Sequence, residues 1–173
     1  KDGTVFFGTK NGALFALDLA SGRPRWRVEL GLEVGAAPLL VQGLLLVATL
    51  QDEVVAVDAQ SGARKWHHRR DQREGMTIRG CARPVLAGGL LVASYSDGTV
   101  AGLDPATGAA RWERKVAPAG EFVDVDGLAA DEKAVTLTAR VFEVPVHPEG
   151  PRLPASLQVS IVTFRPDLNL LDR

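Results

Sequence analysis

Short runs of β-branched and apolar residues, separated by turn residues, recur along the first two thirds of the chain. The runs lie at residues 4–9, 13–19 and 24–30, then at 37–41, 44–50, 54–59 and 65–69, and finally at 82–87, 90–95, 99–103 and 110–116. Each group holds three or four such runs joined by tight-turn residues. Groups of this kind predict antiparallel meanders of up to four short strands.

One motif recurs with constant internal spacing in each group: an aspartate, then a serine or threonine, a glycine and a tryptophan. The copies are Asp18, Ser21, Gly22 and Trp26, then Asp58, Ser61, Gly62 and Trp66, and then Asp104, Thr107, Gly108 and Trp112. Successive copies are 40 and 46 residues apart, which is the period of a propeller blade. The six extra residues fall in the connection after Trp66.

The motif residues have structural roles that the spacing itself suggests. The carboxylate can accept a backbone N–H two residues on, and the glycine supplies the left-handed residue of a bulged hairpin. Three identical copies favour turn formation over catalysis. We expect each tryptophan to dock on the next blade with its indole N–H on a backbone carbonyl, the alternative being that one of them stacks on a ligand.

Further turns are predicted by Asx-Gly dipeptides. Asn11-Gly12 and Asp97-Gly98 predict two-residue hairpin turns, each six residues before the motif aspartate. The second group has Asp52-Glu53 there instead, and we expect that departure to strain or lengthen the turn.

Composition narrows the classes of function. The chain has 173 residues, of which 46% are hydrophobic, enough for a sizeable core. A net charge of −1 gives no electrostatic footprint for nucleic acid. One cysteine, Cys81, excludes an internal disulfide and a thiolate metal cluster. We expect no apolar stretch long enough to span a membrane and, if the protein is exported, a signal that has been removed.

Other candidate chemistry is weak. His67 and His68 precede two arginines, but neighbouring residues on a strand point to opposite faces, so we expect a solvated loop rather than a metal site. Cys81 lacks an activating helix terminus, which argues against a nucleophile. No Gly-x-Ser-x-Gly elbow and no phosphate-binding loop is present in the sequence.

The motif resembles the tryptophan-docking repeat of the pyrroloquinoline-quinone-like β-propellers. That superfamily includes quinoprotein dehydrogenases, kinase-linked sensor domains and the BamB family of the outer-membrane β-barrel assembly machinery. Two further stretches favour the BamB family. Residues 76–84, Met-Thr-Ile-Arg-Gly-Cys-Ala-Arg-Pro, are similar to its Leu-x-Leu-Arg-Gly-x-Ser-x-Pro segment, and residues 122–127, Phe-Val-Asp-Val-Asp-Gly, are similar to its Asp-Val-Asp segment.

In that family both segments belong to the surface that binds the POTRA domains of BamA. The resemblance therefore implies a partner-binding site made of Met76, Ile78, Arg79, Asp124 and Asp126. Apolar anchors beside an arginine and two carboxylates would form a small hot spot with a charged rim. Alternatively, Ile78 begins an inner strand, and Arg79 pairs with one of the aspartates to tie two loops together.

The resemblance also implies a cellular role. A BamB-like protein would be a non-enzymatic scaffold without a cofactor or a bound metal, in the periplasm at the inner face of the outer membrane. Its link to that membrane would be a lipid anchor outside this chain, as in a lipoprotein. The alternatives are a fragment of a pyrroloquinoline-quinone-dependent dehydrogenase or of a propeller sensor domain.

We therefore predict an all-β fold, a partial β-propeller of four-stranded antiparallel blades that is a fragment of an eight-bladed propeller. Three blades are recognisable, and a fourth begins after them. The predicted parts of this single propeller domain are a partial blade at 1–30, a second blade at 37–70, a third at 82–117 and a divergent fourth-blade or tail region at 122–173. Residues 128–139 can form the leading hairpin of that fourth blade, and residues 157–164 are an apolar, strand-like run. Whether residues 141–173 form a true blade stays open.

Overall fold

The computed structural model describes residues 2–70, 81–116, 122–130, 134–142 and 157–164. Within these ranges all regular secondary structure is β-strand, which confirms the predicted all-β class. The strands are β1 (Thr4–Gly8), β2 (Ala13–Asp18), β3 (Pro24–Glu29), β4 (Leu39–Val41), β5 (Leu44–Ala48), β6 (Glu53–Asp58), β7 (Arg64–Arg69), β8 (Val85–Ala87), β9 (Leu90–Ser94), β10 (Thr99–Leu103), β11 (Ala110–Lys115), β12 (Phe122–Ala130), β13 (Val135–Phe142) and β14 (Leu157–Phe164).

The strands form four antiparallel sheets, each built from strands that are consecutive in the chain. The second sheet (β4 to β7) and the third (β8 to β11) have the four strands predicted for a blade. The first sheet (β1 to β3) has three strands, and β12 to β14 form a fourth sheet. The fold is that of a partial β-propeller, as predicted.

Two-residue turns link the first two strands of the complete sheets. Gln42 and Gly43 have φ angles of 48° and 82°, and Gly88 and Gly89 have 54° and 78°. Two successive left-handed residues are the signature of a type I′ turn, whose twist matches that of the flanking strands. Glycine or a small polar residue is favoured there for this reason.

The Asx-Gly turns differ from the prediction by one residue. Gly12 donates its N–H to Thr9 O at 3.0 Å, and Thr9 donates to Ala13 O at 2.9 Å, so the loop has three residues, with Gly12 last and left-handed at φ 82°. In the second sheet the glycine position is held by Asp52, at φ 57°. The predicted strain is therefore present, but this turn is not lengthened.

Apolar side chains from neighbouring sheets meet in three clusters. Strand β5 shows why: Leu45 and Val47 pack towards the first sheet, whereas Leu46 packs towards the third. This alternation follows from the two-residue period of a strand. Because both faces of a middle strand are covered, β5, β6, β9 and β10 are almost wholly buried.

The fourth sheet packs on the third. Trp112 lies in one cluster with Val125 and Leu137, which come from β12 and β13. The sequence predicted a leading hairpin at residues 128–139 and an apolar strand at 157–164. The hairpin is longer, since β12 begins at Phe122 and β13 ends at Phe142, while β14 covers the predicted range.

The turns and connections divide between two ends of the sheets. We call the end that holds the turns at 9–12, 49–52 and 95–98 the connection end, because the chain passes there from one sheet to the next. The motif turns at 18–22, 58–62 and 104–108 lie at the opposite end. No helix among the described residues is long and apolar enough to cross a membrane.

Candidate functional site

The first two motif tryptophans each reach across to the next sheet. Trp26 Nε1 donates to Ala59 O at 3.0 Å, and Trp66 Nε1 donates to Pro105 O at 3.2 Å. Both acceptors are the residue that follows a motif aspartate. A buried indole N–H needs a hydrogen-bond acceptor, and the motif turn supplies it. The predicted role of these tryptophans in blade docking is confirmed.

The motif glycines are the surfaces on which these rings lie. A Cβ added at Gly62 would stand 3.0 Å from the Trp26 ring, and one added at Gly108 would stand 2.4 Å from the Trp66 ring. Both glycines also have left-handed backbones, with φ of 77° and 74°. The glycine is therefore required twice, by the turn and by the neighbouring indole.

Trp112 is accommodated differently. It is 9% exposed, and a Cβ at Gly102 of its own sheet would lie 2.3 Å from its ring. The first two sheets have alanine at the position of Gly102, namely Ala16 and Ala56. Because Gly102 has no side chain, the Trp112 indole packs closely against its own sheet and joins the apolar cluster shared with the fourth sheet.

The motif aspartates are occupied by their turns. Asp18 Oδ1 accepts the Ser21 N–H at 2.9 Å and the Ser21 hydroxyl at 2.8 Å, while Arg25 Nη2 donates to Oδ2 at 2.7 Å. Asp58 and Asp104 accept equivalent backbone bonds. The donors hold the pKa of all three carboxyls below the usual range, that of Asp58 at about 2, chiefly through the Ser61 N–H. Their predicted role as turn formers is confirmed.

The repeat departs from itself at one position, directly after the last strand of the second sheet. Leu30, Arg70 and Val116 each donate the backbone N–H to a turn carbonyl of their own sheet, at 2.7, 3.0 and 2.9 Å. The three residues are thus equivalent in backbone position. Leu30 is 4% exposed and belongs to the apolar core, whereas an arginine stands at the same place in the second sheet.

The Arg70 side chain extends into the third sheet. Its guanidinium pairs with Glu113 and with Asp97, the latter at 3.3 Å, and lies 5.6 Å from the centre of the Tyr95 ring. The arginine side chain is 25% exposed. The two carboxylates raise its pKa against the opposing effect of burial. We call Arg70, Asp97, Glu113, Tyr95 and His68 the Arg70 cluster.

His68 joins the cluster from strand β7. Its Nδ1 lies 2.7 Å from the Tyr95 hydroxyl, and its Nε2 lies 3.8 Å from Glu113 Oε1. Burial lowers the pKa of His68, and burial raises the pKa of Tyr95. Both groups are therefore held in their neutral forms at pH 7.

A second polar contact crosses the same interface. The Asp52 carboxylate accepts the backbone N–H of Ser96 at 2.7 Å and also the Ser96 hydroxyl. Glycine at this position could make neither contact. The left-handed aspartate thus links the turns of the second and third sheets at the connection end.

The sequence pattern does not reveal this cluster. The run at 65–69, which includes His68, is confirmed as strand β7, but the side chains here are expected to be solvated, whereas those of His68 and Arg70 are mostly buried against the third sheet. The signal that could have revealed it is the alignment of Arg70 with Leu30 and Val116. A charge at a position that is otherwise apolar calls for a partner across the interface.

The two histidines do not form a metal site. His67 is exposed and lies 3.3 Å from Glu53, whereas His68 faces Tyr95. Within the part of the chain that the structure describes, no group of three metal-ligating side chains is found. Cys81 directs its Sγ to Thr49 O at 3.8 Å and packs against Gly35.

The predicted partner-binding residues are only partly covered by the structure. Met76, Ile78 and Arg79 lie outside the described residues. Asp124 and Asp126 lie on β12, where the backbone of Asp124 is opposite that of Arg140 on β13, and the register shifts between Val125 and Gly127. Asp126 is therefore the extra residue of a β-bulge, a feature that bends a strand and redirects its side chains.

The fold and the docking contacts define the class: a β-propeller of the tryptophan-docking type. A family profile described as outer membrane protein assembly factor BamB matches residues 1–143. Since this match covers most of the chain, the chain belongs to the BamB family.

Comparison with individual proteins agrees with that assignment. The chain is 34% identical over 62 residues to BamB of Burkholderia pseudomallei, covering 36% of this chain and 16% of that protein. It is 32% identical over 79 residues to BamB of Alteromonas naphthalenivorans, covering 46% and 19%. The matched regions thus span less than a fifth of these curated relatives.

Solved structures give longer alignments. The crystal structure of BamB from Moraxella catarrhalis matches with a TM-score of 0.70 and 26% identity, over 82% of this chain and 46% of that one. The quinohemoprotein alcohol dehydrogenase of Comamonas testosteroni matches with a TM-score of 0.71 and 16% identity, over 96% and 32%. The dehydrogenase likeness shows the fold alone.

Proposed function

We propose that the protein is a non-enzymatic scaffold of the BamB type, which binds the POTRA domains of a BamA-like insertase and supports outer-membrane protein assembly. The binding surface comprises Met76, Ile78 and Arg79 of one connection together with Asp124 and Asp126 of β12. The supporting observation is topological: the described residues on either side of 71–80, and the start of strand β12, lie at the connection end of adjacent sheets.

The described flanks carry this argument. Arg70 and Cys81 bracket residues 71–80, and both lie at the connection end, beside the turn at 49–52. Strand β12 begins at Phe122, after the chain leaves the third sheet at the same end. Adjacent sheets of a propeller pack side by side, so two connections at one end of neighbouring sheets can contribute to one surface.

The chemistry of these five residues suits a small protein interface. Arginine is enriched in interface hot spots, and an apolar residue beside it can exclude water from the contact. The bulge at Asp126 redirects the chain next to Asp124. A partner with a basic rim and a small apolar patch would complement this surface.

The family also suggests where the protein acts. We place it in the periplasm at the inner face of the outer membrane, as a lipoprotein whose lipid anchor lies outside this chain. No cofactor is required for this role. The likeness to a quinohemoprotein dehydrogenase does not favour catalysis, because at 16% identity it is a likeness of fold.

The test is a binding measurement with the complete protein and the purified POTRA domains of its cognate BamA. Arg79→Ala combined with Asp124→Ala should weaken binding by about 2 kcal/mol or more, as expected for a pair of hot-spot residues. Arg114→Ala, which removes an exposed arginine from outer strand β11, is the matched control and should leave affinity unchanged.

The same variants separate recognition from loop tethering. If Arg79 and Asp124 only tie two loops together, the double variant will lower the melting temperature while the affinity stays that of the unmodified protein. That outcome would remove these residues from the binding surface.

A further inference from the structure

The last strand of each of the first three sheets is rich in exposed basic side chains. Strands β3, β7 and β11 each form one edge of their sheet. These edges lie side by side, because the Arg64 guanidinium of β7 donates to Glu29 O of β3, and His68 Nε2 of β7 lies 3.8 Å from Glu113 Oε1 of β11. We call these three strands, together with Arg23 directly before β3, the basic edge.

Part of this positive charge is neutralised within each sheet. The residue before the motif tryptophan is basic in all three copies, and it pairs with the motif aspartate of its own turn. These pairs join Arg25 to Asp18, Lys65 to Asp58 and Arg111 to Asp104, at 2.7, 3.4 and 2.9 Å. The carboxylates that the strands themselves carry are also paired, Glu29 with Arg27 and Glu113 with Arg70.

Five other basic side chains of this edge have no carboxylate partner among the residues that the structure describes. They are Arg23, Arg64, Arg69, Arg114 and Lys115, and all of them are exposed. The bond from Arg64 to a backbone carbonyl leaves its charge uncompensated. Because the whole chain has a net charge of −1, positive charge is concentrated at the basic edge.

Protection of the sheet edges does not account for all of this charge. Lysine and arginine on an edge strand discourage pairing with the edge of another molecule. The basic residue before each motif tryptophan already provides such a side chain in every one of the three sheets. The five uncompensated charges come in addition to that.

The arrangement suits an anionic lipid surface better than a nucleic acid or a protein. The aromatic side chains of these strands are the motif tryptophans, which pack against neighbouring sheets and are not available for stacking on bases. None of the exposed large apolar side chains of the described residues lies on these strands, so an apolar anchor for a protein partner is missing there. An anionic membrane requires neither feature, since each lysine or arginine near its surface contributes to binding.

We propose that the basic edge binds the surface of a membrane that contains anionic phospholipid, and so orients the propeller with β3, β7 and β11 towards the lipid headgroups. This rests on the proposed function for which membrane is involved, namely the inner face of the outer membrane. A lipid anchor outside this chain would hold the protein at the membrane, and the basic edge sets which side of the protein faces it. A lipid chain combined with a polybasic patch is an established pair of membrane-binding signals.

The test is co-sedimentation of the complete polypeptide, prepared without its lipid anchor, with vesicles of defined composition. The protein should bind vesicles that contain phosphatidylglycerol more tightly than vesicles of phosphatidylcholine alone, and added salt should weaken this binding. Arg69→Gln combined with Arg114→Gln should lower the affinity for phosphatidylglycerol vesicles about 25-fold, because each charge contributes about fivefold.

Lys10→Gln combined with Arg83→Gln is the matched control. It removes the same charge from two exposed residues outside the basic edge, one in the turn before β2 and one shortly before β8, and it should leave vesicle binding unchanged. Equal losses in the two double variants would overturn the proposal, since binding would then follow net charge alone. Equal binding of the unmodified protein to both kinds of vesicle would also overturn it, as would tighter binding to duplex DNA than to phosphatidylglycerol vesicles.

The proposed function is tested separately by the POTRA domains. Arg69→Gln combined with Arg114→Gln should leave the affinity for the cognate POTRA domains unchanged, because the basic edge faces lipid in this proposal. Failure of the unmodified protein to bind the POTRA domains would overturn the proposed function, whereas the vesicle measurements would still decide the role of the basic edge.

Discussion

At the scale of the residue, the motif glycine at position 108 meets two structural requirements at once. Gly108 supplies a left-handed turn and a bare surface on which Trp66 lies. The two demands come from different levels of structure, one from the local turn and one from the neighbouring sheet. Their coincidence explains why the glycine and the tryptophan recur together in the motif.

Gly108→Ala should therefore be clearly destabilising. A left-handed alanine costs about 1–2 kcal/mol, and overpacking against the Trp66 ring adds roughly 1–3 kcal/mol. The measurement is the free energy of unfolding in urea. Gly43→Ala is the control, because Gly43 is equally left-handed at φ 82° but has no atom within 4 Å of an added Cβ. Equal losses in the two variants would show that the indole contact contributes nothing.

At the scale of the element, the turns at the connection end differ in their last residue. It is glycine in the first and third sheets and Asp52 in the second. The turn at 49–52 keeps the bond from the Thr49 N–H to Glu53 O that closes it, as in the glycine turns, although Asp52 must adopt a left-handed φ of 57°. The carboxylate gains two contacts to Ser96 that glycine cannot make. These two contacts link the second sheet to the third and offset the strained backbone of Asp52.

The balance of these effects gives the sign of the change in the free energy of unfolding expected for Asp52→Gly. Relief of backbone strain stabilises by about 1–2 kcal/mol, while two hydrogen bonds to a charged group are worth roughly 1.5–3 kcal/mol each, or about 3–6 kcal/mol together. Asp52→Gly should thus lower the free energy of unfolding, by about 1–5 kcal/mol. Ser96→Ala, which removes only the hydroxyl contact, should cost less. An increase in stability for Asp52→Gly would mean that strain outweighs the contacts.

At the scale of the whole molecule, the sheets are held together by apolar clusters that are common to the fold and by polar contacts that are particular to one interface. Trp26 and Trp66 dock in the same way at successive interfaces. The Arg70 cluster occurs at the second of these, between the second and third sheets. Through His68, this interface is expected to respond to pH near neutrality.

The direction of that response follows from the lowered pKa of His68. The folded protein binds the imidazole proton less readily than the unfolded chain, whose histidine titrates near 6.5. Stability should therefore be full above about pH 6.5 and fall as the pH drops through that value towards the lower folded-state pKa. Arg70 opposes the charged form, and Glu113 favours it, but burial is the main cause.

Urea unfolding between pH 5 and 7.5 tests this, with pH values chosen to bracket the free histidine. His68→Gln should flatten the loss of stability below neutrality. His67→Gln is the matched control, because it removes the neighbouring, exposed imidazole and leaves the contact between His68 and Tyr95 in place. A slope that survives in His68→Gln would assign the pH dependence to another group.

The strands and their order could be predicted because they depend on neighbours in sequence. A two-residue hydrophobic period and Asx-Gly turns act over a few residues, and the recurrence of Trp26 and Trp66 in register shows the repeat. The error in the turn at Asn11 and Gly12 was one residue, which is the usual uncertainty of a boundary argued from turn residues.

The Arg70 cluster could not be predicted in the same way. Arg70 meets Asp97 and Glu113, which lie 27 and 43 residues away in the chain. No local pattern connects them, since their contact depends on how two separately formed sheets stack. The placement of the fourth sheet on Trp112 is likewise a matter of packing, because its strands carry no copy of the motif.

The amino-acid sequence by itself determined the repeat, the turns and the docking role of its tryptophans, because each of these is specified by spacing within one module. Only the tertiary structure decided which side chains meet across each interface, and so revealed that the arginine directly before residues 71–80 takes the place of an apolar residue and pairs with two carboxylates of the third sheet. Contacts between modules are set by the stacking of whole sheets, and spacing within a module does not encode that geometry.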